Sequence, residues 1–248
     1  MTMTVPDNTT PPPVPGRVSR ALIRMFMKPA RIVQAESLGE DVRLITMASP
    51  AFRNLQWTPG DKLQIAMGSA FVARTYTPVE WDSAEGATRI VAFAHGSGPG
   101  SEWVRRTAPG DTCHVFGPRS SLDLTRATPA CVMLGDETSI ALAYALSCSR
   151  AEGDARYLLE VGDVANVREV LARLNLGGVE LFARSAYDQH LETMAGRLSA
   201  LADDATMFVL TGKASSIQRW RRALNAKRVR ATRIMTKAYW APGKAGLD

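Results

Sequence analysis

Cysteine and histidine are scarce in this chain, and the few present are scattered. Cys113, Cys131 and Cys148 are odd in number and far apart. They fit no zinc-ligand spacing and no disulfide framework, so a reducing, cytoplasmic setting is expected. His95, His114 and His190 form no ligand cluster, so no metal site is expected and each reads as structural or as a hydrogen-bond donor. No apolar run approaches the roughly 18 residues of a membrane span, so stable insertion in a membrane is not expected. The first residues, MTMTVPDNTTPPPVPG, lack the basic start and apolar core of a secretory signal. There is no internal repeat, and the composition rules out a fibrous one.

What is present is an ordinary globular composition: 248 residues, 46% hydrophobic and 22% charged. That length suits one large or two small domains and buries a core without disulfides or metals. The net charge of +6 is unevenly spread. Residues 1–31 carry five bases against Asp7, and residues 213–248 carry ten against Asp248 alone. The stretch between is net acidic. Basic ends on an acidic body suit an anionic partner, such as nucleic acid, a phosphate-bearing cofactor, an acidic substrate or an acidic protein. A solvated basic helix face is the plainer alternative.

The pattern divides the chain in two. Residues 1–16, rich in Pro and Thr, are expected to be a mobile tail. A helix is predicted over 17–28 (RVSRALIRMFMK), with Arg17, Arg20, Arg24 and Lys28 on one face and Leu22, Met25 and Phe26 elsewhere. Its apolar side is expected to pack on its own domain rather than on a membrane. Strand-like runs follow at 31–36, 42–48, 62–67, 71–77, 88–95 and 112–116, separated by Gly- and Pro-containing turns, with a short helix near 100–107. These predict a six-stranded antiparallel barrel within 17–120. From 121 to 236, apolar strands at 131–134, 157–161, 179–183, 206–211 and 231–236 alternate with helical stretches. That alternation predicts a parallel-sheet α/β domain of nucleotide-binding type. Residues 237–248 are read as a tail over the cleft between the two.

Four constellations could carry chemistry. Arg74-Thr75-Tyr76-Thr77 ends a strand before Pro78, and Arg74 and Tyr76, two apart, share a face. A guanidinium can hold a phosphate bidentately and a phenol can stack on a flat heterocycle. His95-Gly96-Ser97-Gly98-Pro99-Gly100-Ser101-Glu102-Trp103 also follows a strand. Its glycines admit a ligand to the backbone, and the helix start beyond offers unpaired N–H groups. It is neither a Walker A loop nor G-x-G-x-x-G. Gly135-Asp136-Glu137-Thr138-Ser139 joins the first α/β strand to its helix, where open parallel sheets bind ligands. A capped helix start, with Thr138 or Ser139 as cap, explains it equally. Lys237-Ala238-Tyr239-Trp240-Ala241-Pro242-Gly243-Lys244 sets two aromatics between two lysines.

The four together resemble the ferredoxin-NADP reductase superfamily, and more closely the siderophore-interacting proteins, or ferric-siderophore reductases. The matching motifs are Arg-x-Tyr-Thr, His-Gly-x-Gly-Pro with a following Trp, Gly-Asp-Glu-Thr, and a C-terminal Tyr-Trp. The resemblance spans nearly all of 17–248. It implies FAD between the domains, with Arg74 on the pyrophosphate, Tyr76 on the isoalloxazine and Thr77 at its reactive edge. His95, Gly96, Gly98, Pro99, Ser101 and Trp103 would form the phosphate loop. Asp136 and Thr138 would meet the reductant, and Tyr239 and Trp240 would close over the flavin. Lys237 and Lys244 would attract an anionic ferric siderophore. The donor implied is NADH, NADPH or reduced ferredoxin, and a monomer is the expected state. The flavin carries the electron chemistry, so no protein acid, base or metal ligand is required. One departure stands out: many members have a second base after the Tyr-Thr pair, whereas here Pro78 and Val79 follow.

Two other readings remain at this point. One is a reductase of the same fold serving another acceptor, such as free flavin or an oxygenase. The other is a nucleic-acid or anionic-surface module using the basic C-terminus with Trp220, Tyr239 and Trp240, which leaves the glycine loops without a purpose.

Overall fold

The computed structural model describes residues 17–69, 71–126, 130–149 and 155–244. The chain opens with α1 (Arg17–Phe26), followed by β1 (Lys28–Ser37), β2 (Val42–Ala48), β3 (Lys62–Ser69) and β4 (Val72–Tyr76). Then come β5 (Pro78–Asp82), β6 (Ala87–Phe93), α2 (Pro99–Arg106) and β7 (Thr112–Arg119). The strands form one antiparallel sheet in the order β4-β3-β7-β1-β2-β6-β5. Its edge strands, β4 and β5, are separated in sequence by Thr77 alone. The sheet must therefore curl until its edges meet, which makes a half-barrel with Thr77 at the seam.

The period-2 alternation of strands sets what lies inside the curl. In β3, Leu63 and Ile65 are buried while Lys62 and Gln64 are not. They pack with Ile32, Ile45, Phe52, Ile90 and Val115. Each such side chain contributes roughly 1.5–3 kcal/mol through removal from water.

The second half runs β8 (Cys131–Asp136), α3 (Ile140–Cys148), β9 (Ala155–Val161), α4 (Val164–Arg173) and β10 (Val179–Ala183). It continues with α5 (His190–Leu201), β11 (Met207–Lys213), α6 (Ala214–Ala226) and β12 (Ile234–Trp240). All five strands are parallel, in the order β10-β9-β8-β11-β12. The central β8 is buried along its whole length, as a strand covered on both faces must be. Val132, Leu134, Phe208 and Trp220 pack on one face. On the other, Met133, Leu142 and Val167 join Leu44, Val79 and Val91 of the curled sheet in a single apolar cluster. That shared cluster holds the two sheets together and fixes the cleft between them.

The two-part architecture agrees with the sequence reading, with corrections. The curled sheet has seven strands rather than six, because 78–82 is a strand. Pro78 concealed it: proline is confined to strand starts and edge strands, and β5 is an edge that begins at Pro78. β7 runs past Phe116 to Arg119, paired through Arg119 to Lys62. The last strand starts at Ile234, after a single 3-10 turn over Ala231–Arg233, and continues to Trp240. Lys237–Trp240, expected in a tail, thus belong to the sheet edge, with Lys237 opposite Thr211. Residues 245–248, and the expected mobile segment 1–16, lie outside the described residues.

The first helix ends at Phe26, and only part of its apolar side packs inward. Ile23 is buried and Leu22 half-buried, but Val18, Met25 and Phe26 are exposed. No helix among the described residues is long and apolar enough to cross a membrane.

Candidate cofactor and substrate cleft

A cleft of about 360 Å³ lies where the seam of the curled sheet faces the carboxyl ends of β8 and β12. Strand order reverses between β8 and β11, the place where open parallel sheets bind ligands. From the curled sheet, Arg74, Tyr76, Thr77, His95, Gly98 and Ser101 reach it. From the parallel sheet come Thr138, Lys237, Tyr239, Trp240 and Lys244.

Arg74 and α2 are built against each other. A Cβ on Gly100 would stand 2.8 Å from Cγ of Arg74, so only glycine lets the arginine stem cross the helix start. Nη1 of Arg74 donates to its neighbour Ala73 O at 2.8 Å, which leaves Nε and Nη2 for a ligand. No side chain caps α2: Gly98 is the N-cap and Pro99 opens the helix. The N–H groups of that first turn have no intrahelical acceptor, and they carry the positive end of the helix dipole. Gly96 and Gly98 have open space where a Cβ would be.

Other contacts hold this loop still. Ser101 Oγ donates to His95 O at 2.5 Å, and Arg105 donates to Gly96 O at 2.9 Å and Ala94 O at 3.0 Å. Arg43 holds the far end of α2 through Val104 O at 2.8 Å and Thr107 O at 2.7 Å.

Across the cleft, two contacts join the sheets. The Tyr239 hydroxyl is hydrogen-bonded to Thr77, and burial pushes the phenol pKa up, so it stays protonated. The His95 ring lies over Trp240 with centroids 6.3 Å apart and planes 29° from parallel. Burial, with help from Arg74 and Arg105, holds the imidazole below its ordinary pKa against the opposing pull of Glu137, so His95 is neutral at pH 7.

Behind this layer sits Asp136, fully buried at the end of β8. Its carboxylate accepts from Trp240 Nε1 at 2.7 Å and from the Thr138 N–H at 2.9 Å, and also from the Thr138 hydroxyl. Asp136, rather than Thr138 or Ser139, is therefore the cap of the turn, and Ser139 Oγ accepts in return from the Asp136 N–H. Burial pushes the Asp136 carboxyl up to about 6, while the bonds from Thr138 and Trp240 act the other way. Asp136 does not line the cleft; it positions Trp240 and Thr138.

Trp103 is also one layer back. It packs in the curled-sheet core against the ring of Tyr76, with centroids 5.8 Å apart, and so supports that ring from behind. Gly96 and Pro99 are exposed in the loop beside the cleft. Sequence reasoning missed Lys62, which brings a third ammonium to the lining with Lys237 and Lys244, and Phe93, part of its apolar wall. Lys62 opens a predicted strand and carries no local signal of a site.

Away from the cleft, Arg184 pairs bidentately with Glu137 at 2.8 and 2.6 Å, and Glu137 accepts from Gly162 N at 2.7 Å. His190 Nε2 lies 2.7 Å from Oε2 of the buried Glu160. These pairs tie together the carboxyl ends of β8, β9 and β10.

A curled antiparallel sheet, an uncapped glycine loop at its rim and a five-stranded parallel domain make up a two-domain fold of the ferredoxin-NADP reductase type. Comparison with known proteins narrows this. Residues 15–122 match the siderophore-interacting FAD-binding domain. The NADPH-dependent ferric-chelate reductase of Escherichia coli (strain K12) is 26% identical over 172 residues, covering 68% of this chain and 66% of that protein. Among solved structures, the siderophore-interacting protein SipS from Aeromonas hydrophila superposes with TM-score 0.72 at 20% identity, covering 88% of this chain and 93% of that one. A siderophore utilization protein from T. fusca gives TM-score 0.70 at 22% identity, covering 90% and 95%.

The residues present fit FAD. An uncapped helix start and a free guanidinium edge suit a pyrophosphate, and the open space above Gly96 and Gly98 admits it. The half-buried face of Tyr76, backed by Trp103, suits a flat ring.

Proposed function

We propose that the protein is an FAD-dependent reductase of ferric siderophores, drawing electrons from a nicotinamide nucleotide. The observation that carries this reading is the convergence of Arg74, Tyr76, the uncapped α2 start and Trp240 on one cleft whose lining includes three lysines. In this reading Arg74 and the first turn of α2 hold the pyrophosphate, and Tyr76 sets the plane of the ring. FAD held there by Arg74 and the first turn of α2 would supply the redox chemistry: uptake of one hydride (two electrons) from the nicotinamide and release of single electrons to Fe(III). Thr77 and Tyr239, bonded to each other, hold the seam against the parallel sheet and keep bulk water from that edge. Trp240, fixed by Asp136, covers the side of the cleft towards the carboxyl ends of the parallel strands. Lys62, Lys237 and Lys244 hold an anionic chelate at the mouth, taking the place of the base absent after Thr77. The relative's dependence on NADPH supports a nicotinamide donor; ferredoxin is kept as a second donor to be assayed.

The test begins with the visible spectrum of the purified protein and chromatography of the flavin released by heat. FAD is expected, because the loop is shaped for a pyrophosphate; FMN alone would remove the loop from the site. Anaerobic bleaching with NADPH, NADH or reduced ferredoxin then names the donor. Fe(II) trapping with ferric chelates against free flavin as acceptor separates iron reduction from a general reductase.

A further inference from the structure

The first helix leaves an apolar face uncovered. At 3.6 residues per turn, Met25, Val18, Leu22 and Phe26 fall within one arc of about 100°. Ile23, beyond that arc, is the side chain that anchors the helix, at 7% exposure. Val18 is 68% exposed, Met25 73% and Phe26 55%. Beside the helix is the β3–β4 hairpin: Ser19 Oγ and Ser69 Oγ are 3.2 Å apart, and Ser69 Oγ accepts from the Phe71 N–H at 3.2 Å. The hairpin stretch 66–73, AMGSAFVA, has no charged residue, and Phe71 at its tip is 70% exposed. Hairpin tips are ordinarily polar, and a monomer seldom exposes several large apolar side chains side by side.

The charged residues of the helix and its sequence flanks have one sign. The helix carries Arg17, Arg20 and Arg24 and no acid, and residues 8–35 contain five bases and neither Asp nor Glu. We propose that α1 and the β3–β4 tip form a docking surface for an anionic bilayer, on which the protein lies peripherally. Val18, Met25, Phe26 and Phe71 enter the acyl boundary, and the bases meet the lipid headgroups. The patch sets exposed apolar side chains beside a helix whose charged residues are all basic. That suits the laterally averaged chemistry of a lipid surface, where amphipathic helices with basic residues settle. None of Val18, Met25, Phe26 and Phe71 lines the cleft, although Ala73 at the base of the hairpin does.

The test is sedimentation of the flavin-loaded protein with vesicles of phosphatidylcholine, alone or mixed with phosphatidylglycerol. Binding is expected on the mixed vesicles, and it should weaken as salt rises. The double variant Phe26→Ser/Phe71→Ser should reduce partition at least about tenfold, the loss expected from removing two inserted rings. Arg24→Gln should reduce it about fivefold, the effect of one base at an anionic surface. Unchanged flavin content and circular dichroism certify the fold. If the double variant fails that check, Met25→Ser takes its place. No binding to the mixed vesicles, or equal binding by the variants, overturns the proposal. So does concentration-dependent dimerisation abolished by the same substitutions, which would give the patch to a second copy of the chain.

Discussion

Replacing Arg74 with alanine tests the cleft at its most constrained point. With Nη1 committed to Ala73 O, Nε and Nη2 remain for a phosphate. One or two charge-assisted hydrogen bonds are at stake, about 1.5–3 kcal/mol, or roughly tenfold to 150-fold in flavin affinity. Arg74→Lys keeps the charge without the planar fork and should fall between. Gly100→Ala should act through the same residue, since its methyl would meet Arg74 Cγ at 2.8 Å. Added to Arg74→Ala it should therefore cost little more. Arg89→Ala is the control: that arginine pairs with Glu80 at 2.8 Å on the surface, and its loss should leave flavin binding alone. The assay is titration of flavin-stripped protein with FAD at fixed salt, followed by fluorescence quenching. Equal affinities for Arg74→Ala and Arg89→Ala would refute the assignment. Full additivity of Gly100→Ala with Arg74→Ala would show that the glycine acts on something else.

Three further outcomes are expected. Gly212 has φ +92°, and a Cβ there would come within 2.5 Å of the Asp136 carboxylate, so Gly212→Ala should lower stability by about 2 kcal/mol or more, read from denaturant unfolding. Asp136 has a folded-state pKa of about 6 against 3.8 for the ordinary group, so the folded state holds the extra proton between those values. Its contribution is therefore complete below about pH 4 and lost as pH rises through 6, up to about 3 kcal/mol, and Asp136→Asn should flatten that part of the stability profile. Replacing Lys237 and Lys244 by Gln should slow reduction of anionic ferric chelates more than of neutral ones at unchanged flavin content. The difference should shrink as salt screens the charges, and rates independent of both salt and chelate charge would contradict the role given to the lysines.

Local pattern carried much of this protein. Alternation in VRLITMA and KLQIAM, the strand–helix rhythm after residue 130 and the glycine run at 95–100 are short-range signals, and they led to two sheets and a glycine loop at the rim of the cleft. They failed where the signal was masked. Pro78 hid an edge strand, and the lysine and two aromatics of 237–240 read as a tail because an edge strand needs no continuous apolar run. What only the tertiary structure decided is which residues meet. The curl of the first sheet brings Thr77 to the seam, where it bonds Tyr239, far away in sequence. The pairing of β11 with β12 then sets Trp240 where its indole N–H reaches the buried Asp136. Lys62 joined the cleft by the same route, and Met25 and Phe26 were left in solvent although their helix looked amphipathic enough to pack. Periodicity reports which face of an element is apolar; what covers that face depends on contacts between segments far apart in the chain, and no local window contains them.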